Sequence, residues 1–171
     1  MNVAIVGATG YGGIQAVNLL KKNKNYKISF LGGNKTSGSK WNDKFPFISL
    51  DTNPYIEKIS VENISNKADI ALLCLPNGLS STLTRKLLDK GLKVVDLSAD
   101  YRYKSLDQWK EVYSKEAIIY KRNDDDLCKE AVYGLPEINK ESISKGRLIA
   151  CPGCYPTSAL IPLAPYLSQG I

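Results

Sequence analysis

Asn2-Val-Ala-Ile-Val-Gly7-Ala-Thr-Gly10-Tyr-Gly-Gly13 is the stretch on which the fold turns. A short run rich in apolar and β-branched residues suits a strand buried on both faces, and Ile14, Val17 and Leu20 then recur at helical spacing up to Lys21-Lys22. The order is strand, glycine turn, helix. Such a unit binds a dinucleotide when its first glycine makes the turn, its second lets a pyrophosphate reach the backbone, and its third lets the helix pack closely on the strand. The anion then sits at the helix N-terminus. Gly7, Gly10 and Gly13 stand at those places, with Thr9, Tyr11 and Gly12 beside them as further cofactor-binding candidates. The spacing is G-x-x-G-x-x-G, one residue away from G-x-G-x-x-G, and a bare glycine triplet is as readily an ordinary tight turn. The flanking strand and helix carry the cofactor reading.

Residues 27–31 form the next strand, and the segment after its end bears on which dinucleotide is bound. An Asp or Glu there holds the ribose 2′-hydroxyl of NAD. This chain offers Gly32-Gly-Asn34-Lys35-Thr36-Ser37-Gly-Ser39-Lys40, with no carboxylate and with lysines and hydroxyls in reach. The segment suits a 2′-phosphate, so NADP is favoured over NAD, with Asn34, Lys35 and Ser37 as the contacts. The alternative is that Lys35 and Lys40 belong to a solvated loop.

Further strands are expected at 55–59 (short), 69–75, 92–97 and 147–150, and residues 131–137 read as a strand ending at a turn. Ser80 or Ser81 caps a helix that stops at Gly91, residues 105–113 form a capped short helix, and 140–146 a short helix with a glycine stop. Strands alternating with helices through short loops give an α/β fold: a Rossmann-like, doubly wound parallel sheet. Ligands collect at the carboxyl ends of such strands. Pro76, Asn77 and Ser98 lie there as cofactor-binding candidates, and Arg102, just past a buried strand, can grip a phosphate or carboxylate or pair with Asp100. Asn123-Asp-Asp-Asp126 is an exposed turn or helix start, because a contiguous run cannot aim three carboxylates at one metal ion; no metal is expected.

The other chemically loaded stretch is Arg147-Leu-Ile-Ala-Cys151-Pro-Gly-Cys154-Tyr-Pro156-Thr157. A buried strand runs into a Pro-Gly turn that delivers Cys154 to a helix start, where the positive end of the helix favours thiolate. Cys154 is the candidate nucleophile. Cys74, Cys128 and Cys151 read as inert small hydrophobes. C-x-x-C is also the spacing of a redox dithiol or half a zinc site, and zinc is the weaker of these because the chain has no histidine and no second close cysteine pair. The next helix contains Pro162 and Pro165, which are expected to kink it.

With 171 residues, 43% of them hydrophobic, one good core can form. The formal charge of +6 comes from scattered lysines without a basic run interleaved with aromatics, so an anionic small molecule is a better partner than nucleic acid. No run is apolar enough to span a bilayer and no basic segment precedes the first strand, so neither a membrane partner nor a secretory signal is expected. The expected compartment is the cytoplasm, where four thiols stay reduced.

Gly7-Ala-Thr-Gly-Tyr-Gly-Gly13, Leu97-Ser-Ala-Asp-Tyr-Arg102, Tyr133-Gly-Leu-Pro-Glu137 and Pro152-Gly-Cys-Tyr-Pro-Thr157 occur in this order along the whole chain. Together they resemble the N-terminal part of the N-acetyl-γ-glutamyl-phosphate reductases of arginine biosynthesis. The resemblance implies NADPH-dependent reduction of an acyl phosphate to an aldehyde, with Cys154 as the nucleophile that forms a thioester. It implies substrate contacts at Arg102 and Tyr155. It also implies a second α/β domain for catalysis and dimerisation, hence a homo-oligomer, with residues 1–150 as the NADP-binding domain and 151–171 as the start of the second. Three features depart from the family. Asn77 stands where a histidine is usual, Cys151 stands where an asparagine is usual, and the histidine base of the family falls beyond residue 171. A chain of this extent is therefore expected to bind cofactor but to lack the complete active site. Aspartate-semialdehyde dehydrogenase, a lysine-pathway acyl-phosphate reductase and a non-catalytic dinucleotide-binding module are the competing readings.

Overall fold

The computed structural model describes residues 1–119 and 121–170. Six strands, β1 (Asn2–Val6), β2 (Lys27–Gly32), β3 (Ile70–Leu73), β4 (Lys93–Asp96), β5 (Val132–Tyr133) and β6 (Leu148–Ala150), form one sheet in the order β2-β1-β3-β4-β6-β5. Every pairing is parallel. Parallel neighbours need crossovers, and helices supply them: α1 (Tyr11–Leu20) between β1 and β2, α3 (Val61–Ser65) before β3, α4 (Ser81–Asp89) between β3 and β4. α5 (Leu106–Tyr113) and α6 (Asp125–Glu130) lead to β5, α7 (Pro136–Lys145) leads to β6, and α8 (Cys154–Ser168) comes after it. A short helix α2 (Trp41–Lys44) lies in the connection from β2 to α3.

Strand alternation divides the interior into two layers. Val3, Ile5 and Leu31 go to one face with Val17 of α1, Trp41 and Ile56. Ala4, Val6, Phe30, Leu73, Val94 and Leu148 go to the other with Leu87 of α4, Trp109 of α5 and Leu127 of α6. Runs with no polar interruption were the sequence mark of this double burial, and the expected doubly wound sheet is what forms.

Several local expectations are corrected. Residues 55–59 make only isolated bridges, Tyr55 to Lys40 antiparallel and Glu57 to Gly32 parallel, so pairing beside β2 stops after a single residue. The strand expected over 131–137 is two residues long, and its tail becomes α7, with Pro136 in the first turn, where the N–H it lacks is not needed. α8 runs without a break through Pro162 and Pro165. Each ring removes one backbone hydrogen bond, but proline's fixed φ is itself helical. No helix among the described residues is long and apolar enough to cross a membrane.

Candidate cofactor and thiol site

The chain leaves β1 toward β2 on one side and returns to β3 on the other, so the crevice between the carboxyl ends of β1 and β3 is the topological switch point. The glycine turn lies in it. Gly7 has φ +83°, and a Cβ there would stand 2.3 Å from the Cys74 carbonyl oxygen. A Cβ on Gly13 would stand 2.2 Å from the Gly7 carbonyl oxygen, so the helix packs onto the turn as closely as backbone allows. Gly10 is different. A Cβ on it would meet nothing nearer than 3.5 Å, leaving its outer side open. Gly10 caps α1 without any side-chain hydrogen bond, and the first-turn N–H groups of Tyr11, Gly12 and Gly13 have no intrahelical acceptor. Tyr11 is exposed. Open donors, a bare cap and a close backbone fit a pyrophosphate.

At the end of β2, Asn34, Lys35 and Ser37 are exposed. Asn34 Oδ1 accepts the Ile59 N–H at 3.1 Å. Lys40 lies over the Tyr55 ring, 5.7 Å from its centroid. No carboxylate occurs from Gly32 to Lys40, so this end fits a 2′-phosphate.

Pro76 is exposed beside the crevice, whereas Asn77 and Ser98 turn inward. Asn77 Oδ1 accepts the Ala99 N–H at 2.9 Å and its carbonyl accepts the Ile118 N–H at 2.9 Å. The Ser98 hydroxyl donates to Asp96 at 2.8 Å and accepts the Asp100 N–H at 3.1 Å. Asp100 does not pair with Arg102. It accepts the N–H groups of Gly78 at 2.6 Å and Ser81 at 2.9 Å, binding the β3–α4 loop to the β4–α5 loop. Its charge is met by Arg122, which donates to the Asp100 carbonyl at 2.7 Å, chelates Asp124 at 3.0 Å and lies between Trp109 and Tyr101. Sequence reading missed this hub, because no local spacing marks an arginine and an aspartate that meet only after folding. The three aspartates of the 124–126 run indeed part company: Asp124 goes to Tyr101 and Arg122, Asp125 to Lys129, Asp126 to Arg85. The run is the helix start that was the second of the two expectations, with Asp124 the cap of α6, but Asp124 itself is buried rather than exposed.

Arg102 is half-buried and spends its guanidinium on carbonyl oxygens, Nε on Cys151 at 2.8 Å and Nη2 on Leu97 at 3.1 Å. Its Nη1 approaches the Tyr113 hydroxyl at 3.4 Å.

Cys154 is the first residue of α8 and is exposed, as is Tyr155 beside it. The expected Pro-Gly turn is absent: residues 151–153 form neither turn nor bend, and Gly153 is extended (φ −71°, ψ 159°) as the helix cap. Both cysteines of the C-x-x-C are free, Cys151 partly buried and Cys154 exposed. The other thiols are suppressed. Burial pushes Cys74 up to about 12 and Cys128 and Cys151 up to about 11. Cys154, the one fully exposed thiol among the described residues, thus stands at the carboxyl end of β6, on the same rim of the sheet as the glycine turn.

An N-acetyl-gamma-glutamyl-phosphate reductase of Prochlorococcus marinus (strain MIT 9301) is 91% identical over all 171 residues, which make up 49% of its length. The chain spans about half the length of the curated relatives it matches. Among solved structures, aspartate semialdehyde dehydrogenase II from Vibrio cholerae superposes with a TM-score of 0.67 at 22% identity, over 98% of this chain and 46% of that one. The Candida albicans aspartate semialdehyde dehydrogenase with NADP gives 0.64 at 18% identity, over 98% and 47%. At such identities these two speak for the fold alone. The family model for the semialdehyde dehydrogenase NAD binding domain matches residues 2–146, from the first strand through the end of α7, and the chain belongs to that family.

Proposed function

We propose that this chain is the cofactor-binding and nucleophile-bearing part of an NADPH-dependent acyl-phosphate reductase that converts N-acetyl-γ-glutamyl phosphate to N-acetylglutamate semialdehyde. The observation that carries the reading is the accessible Cys154 at the start of α8, on the rim that also holds the open glycine turn. The near-identical relatives named for this reaction support the substrate. Cys154 attacks the acyl carbon, the bond to phosphate breaks, phosphate leaves, and a thioester remains on the sulfur; splitting one hard displacement into two steps is what a covalent nucleophile provides. Gly7, Thr9, Gly10, Tyr11, Gly12 and Gly13 cradle the pyrophosphate, and Asn34, Lys35 and Ser37 receive the 2′-phosphate. Pro76 and the fold of Asn77 and Ser98 shape the wall between the two halves of the rim. When bound, the cofactor supplies the hydride that releases the aldehyde and returns the thiolate. Arg102 and Tyr155 border the thiol on the substrate side. Residues 151–171 begin the second domain, which completes the site, and the whole protein is a cytoplasmic homo-oligomer.

Side-by-side calorimetric titration of the chain with NADPH and NADH tests the cofactor half. NADPH is expected to bind at least about tenfold more tightly, the value of one or two charge-assisted hydrogen bonds to the 2′-phosphate. Equal affinities would remove the role given to Asn34, Lys35 and Ser37. Binding of neither by the chain and by a protein of the relatives' full length would sink the nucleotide reading.

A further inference from the structure

We infer that Arg102 is a positioning residue for Cys154: it fastens the segment that carries the thiol to the end of β4, and the seating of the thiol at the helix start depends on that fastening. The inference rests on the reading of Cys154 as a nucleophile. α8 buries no side chain, so core packing does not hold its first turn. A few polar contacts hold it instead. The Cys151 N–H donates to the Asp96 carbonyl at 2.8 Å, and the Cys151 carbonyl accepts from Arg102 Nε at 2.8 Å. Through Nη2 the same guanidinium donates to the Leu97 carbonyl at 3.1 Å, so one planar group spans the ends of β4 and β6. Its third arm approaches Tyr113, whose ring centroid lies 6.0 Å from Cζ. A Cβ on Gly153 would stand 3.2 Å from Arg102 Nη1, so the guanidinium lies against the cap of α8, one residue before Cys154. An arginine used only to grip substrate would leave its fork free. Lysine keeps the charge but has no rigid fork, and cannot hold two carbonyls at a fixed separation.

The test is the rate at which iodoacetamide alkylates each cysteine of the chain at neutral pH, read peptide by peptide by mass spectrometry. Arg102→Lys and Arg102→Ala are expected to slow alkylation of Cys154 about tenfold, the scale of what a helix N-terminus contributes to an anion seated at it. Added guanidinium ion should restore part of the rate in Arg102→Ala, while Tyr113→Phe should leave it nearly unchanged. Cys74, Cys128 and Cys151 should stay shielded in all three variants. A merely structural role gives a different pattern, with those three thiols uncovered and no response to guanidinium. Parent-like Cys154 alkylation in a folded Arg102→Lys chain overturns the inference, as does a loss under Tyr113→Phe as large as under Arg102→Lys. Should Arg102→Ala fail to fold by circular dichroism, Arg102→Lys decides. A parent Cys154 that reacts no faster folded than in urea overturns the nucleophile reading itself and this inference with it.

Discussion

Asp96 lies wholly inside the protein beneath the rim, accepting the Ser98 N–H at 3.0 Å and the Ser98 hydroxyl at 2.8 Å. Burial, and then the neighbouring charge of Asp100, raises its carboxyl to about 6. The Ser80 hydroxyl, also fully buried, bears on that ionisation without reaching hydrogen-bond geometry. A carboxyl whose pKa is higher folded than unfolded binds its proton more tightly in the folded state. Its contribution to stability is therefore complete below the unfolded value, near 4, and is lost as pH rises through about 6. Asp96→Asn removes the titration. The stability of Asp96→Asn relative to the parent, from urea unfolding, is expected to increase by on the order of 2 kcal/mol between pH 4 and pH 7.5. A flat difference across that range would refute it. At this scale the sequence was a partial guide. The place of Cys154 after a strand and before a helix was readable from its neighbours, whereas Cys128, set among Asp126, Lys129 and Glu130, was read as buried only because cysteines usually are. The inward turn of Ser98 and Asn77 was not readable, because Ser98 folds back on Asp96 at the end of β4 and the Asn77 partner, Ala99, lies 22 positions away.

Among elements, the loop from β3 to α4 shows how a glycine decides a path. Gly78 has φ +87°, and a Cβ there would stand 2.3 Å from the Ile119 carbonyl oxygen and 2.6 Å from its nitrogen. Gly91, at the end of α4, has nearly the same dihedral, φ +84°, but a Cβ there would meet nothing within 4 Å. The pair separates strain from collision. Gly91→Ala is expected to cost about 1 kcal/mol, the left-handed penalty alone. Gly78→Ala adds a collision with backbone that cannot swing aside, and is expected to cost well over about 2 kcal/mol. Denaturation midpoints of the two variants against the parent check the order; equal losses would mean that the 115–119 segment moves away at no cost. Sequence reading placed Pro76 and Asn77 just past the carboxyl end of a strand and a helix stop at Gly91, but it could not see what packs against Gly78 or Gly91. The same limit explains β5. Its β-branched and aromatic composition read as a full strand, whereas Pro136 and the edge position beside β6 leave only two residues paired.

At the scale of the molecule, the alternation of strand and helix patterns was enough to give the parallel sheet, since buried parallel strands leave uninterrupted apolar runs. Strand order was not legible in the same way: nothing in the residues of 132–133 and 148–150 says which is outermost. The structure sets β6 between β4 and β5. That order has a consequence for how the chain acquires its shape. Emerging from the ribosome, residues 2–96 can pair β2, β1, β3 and β4 as they appear, completing the nucleotide crevice. The edge of β4 then stays bare until residues 148–150 have been made, because β5 has no neighbour but β6. An uncovered strand of Val94-Val95-Asp96 is a template for another chain. The Val94 amide, which in the finished fold donates to the Arg147 carbonyl at 2.8 Å, is expected to gain protection from exchange later than the Cys74 amide, which donates to Val6 at 2.8 Å. Pulsed hydrogen-exchange labelling during refolding reads that interval directly; simultaneous protection would mean that the sheet closes in one step. On that order the strand that precedes Cys154 closes the sheet last, so a stalled or truncated product is expected to display an aggregation-prone edge beside a crevice that has already formed.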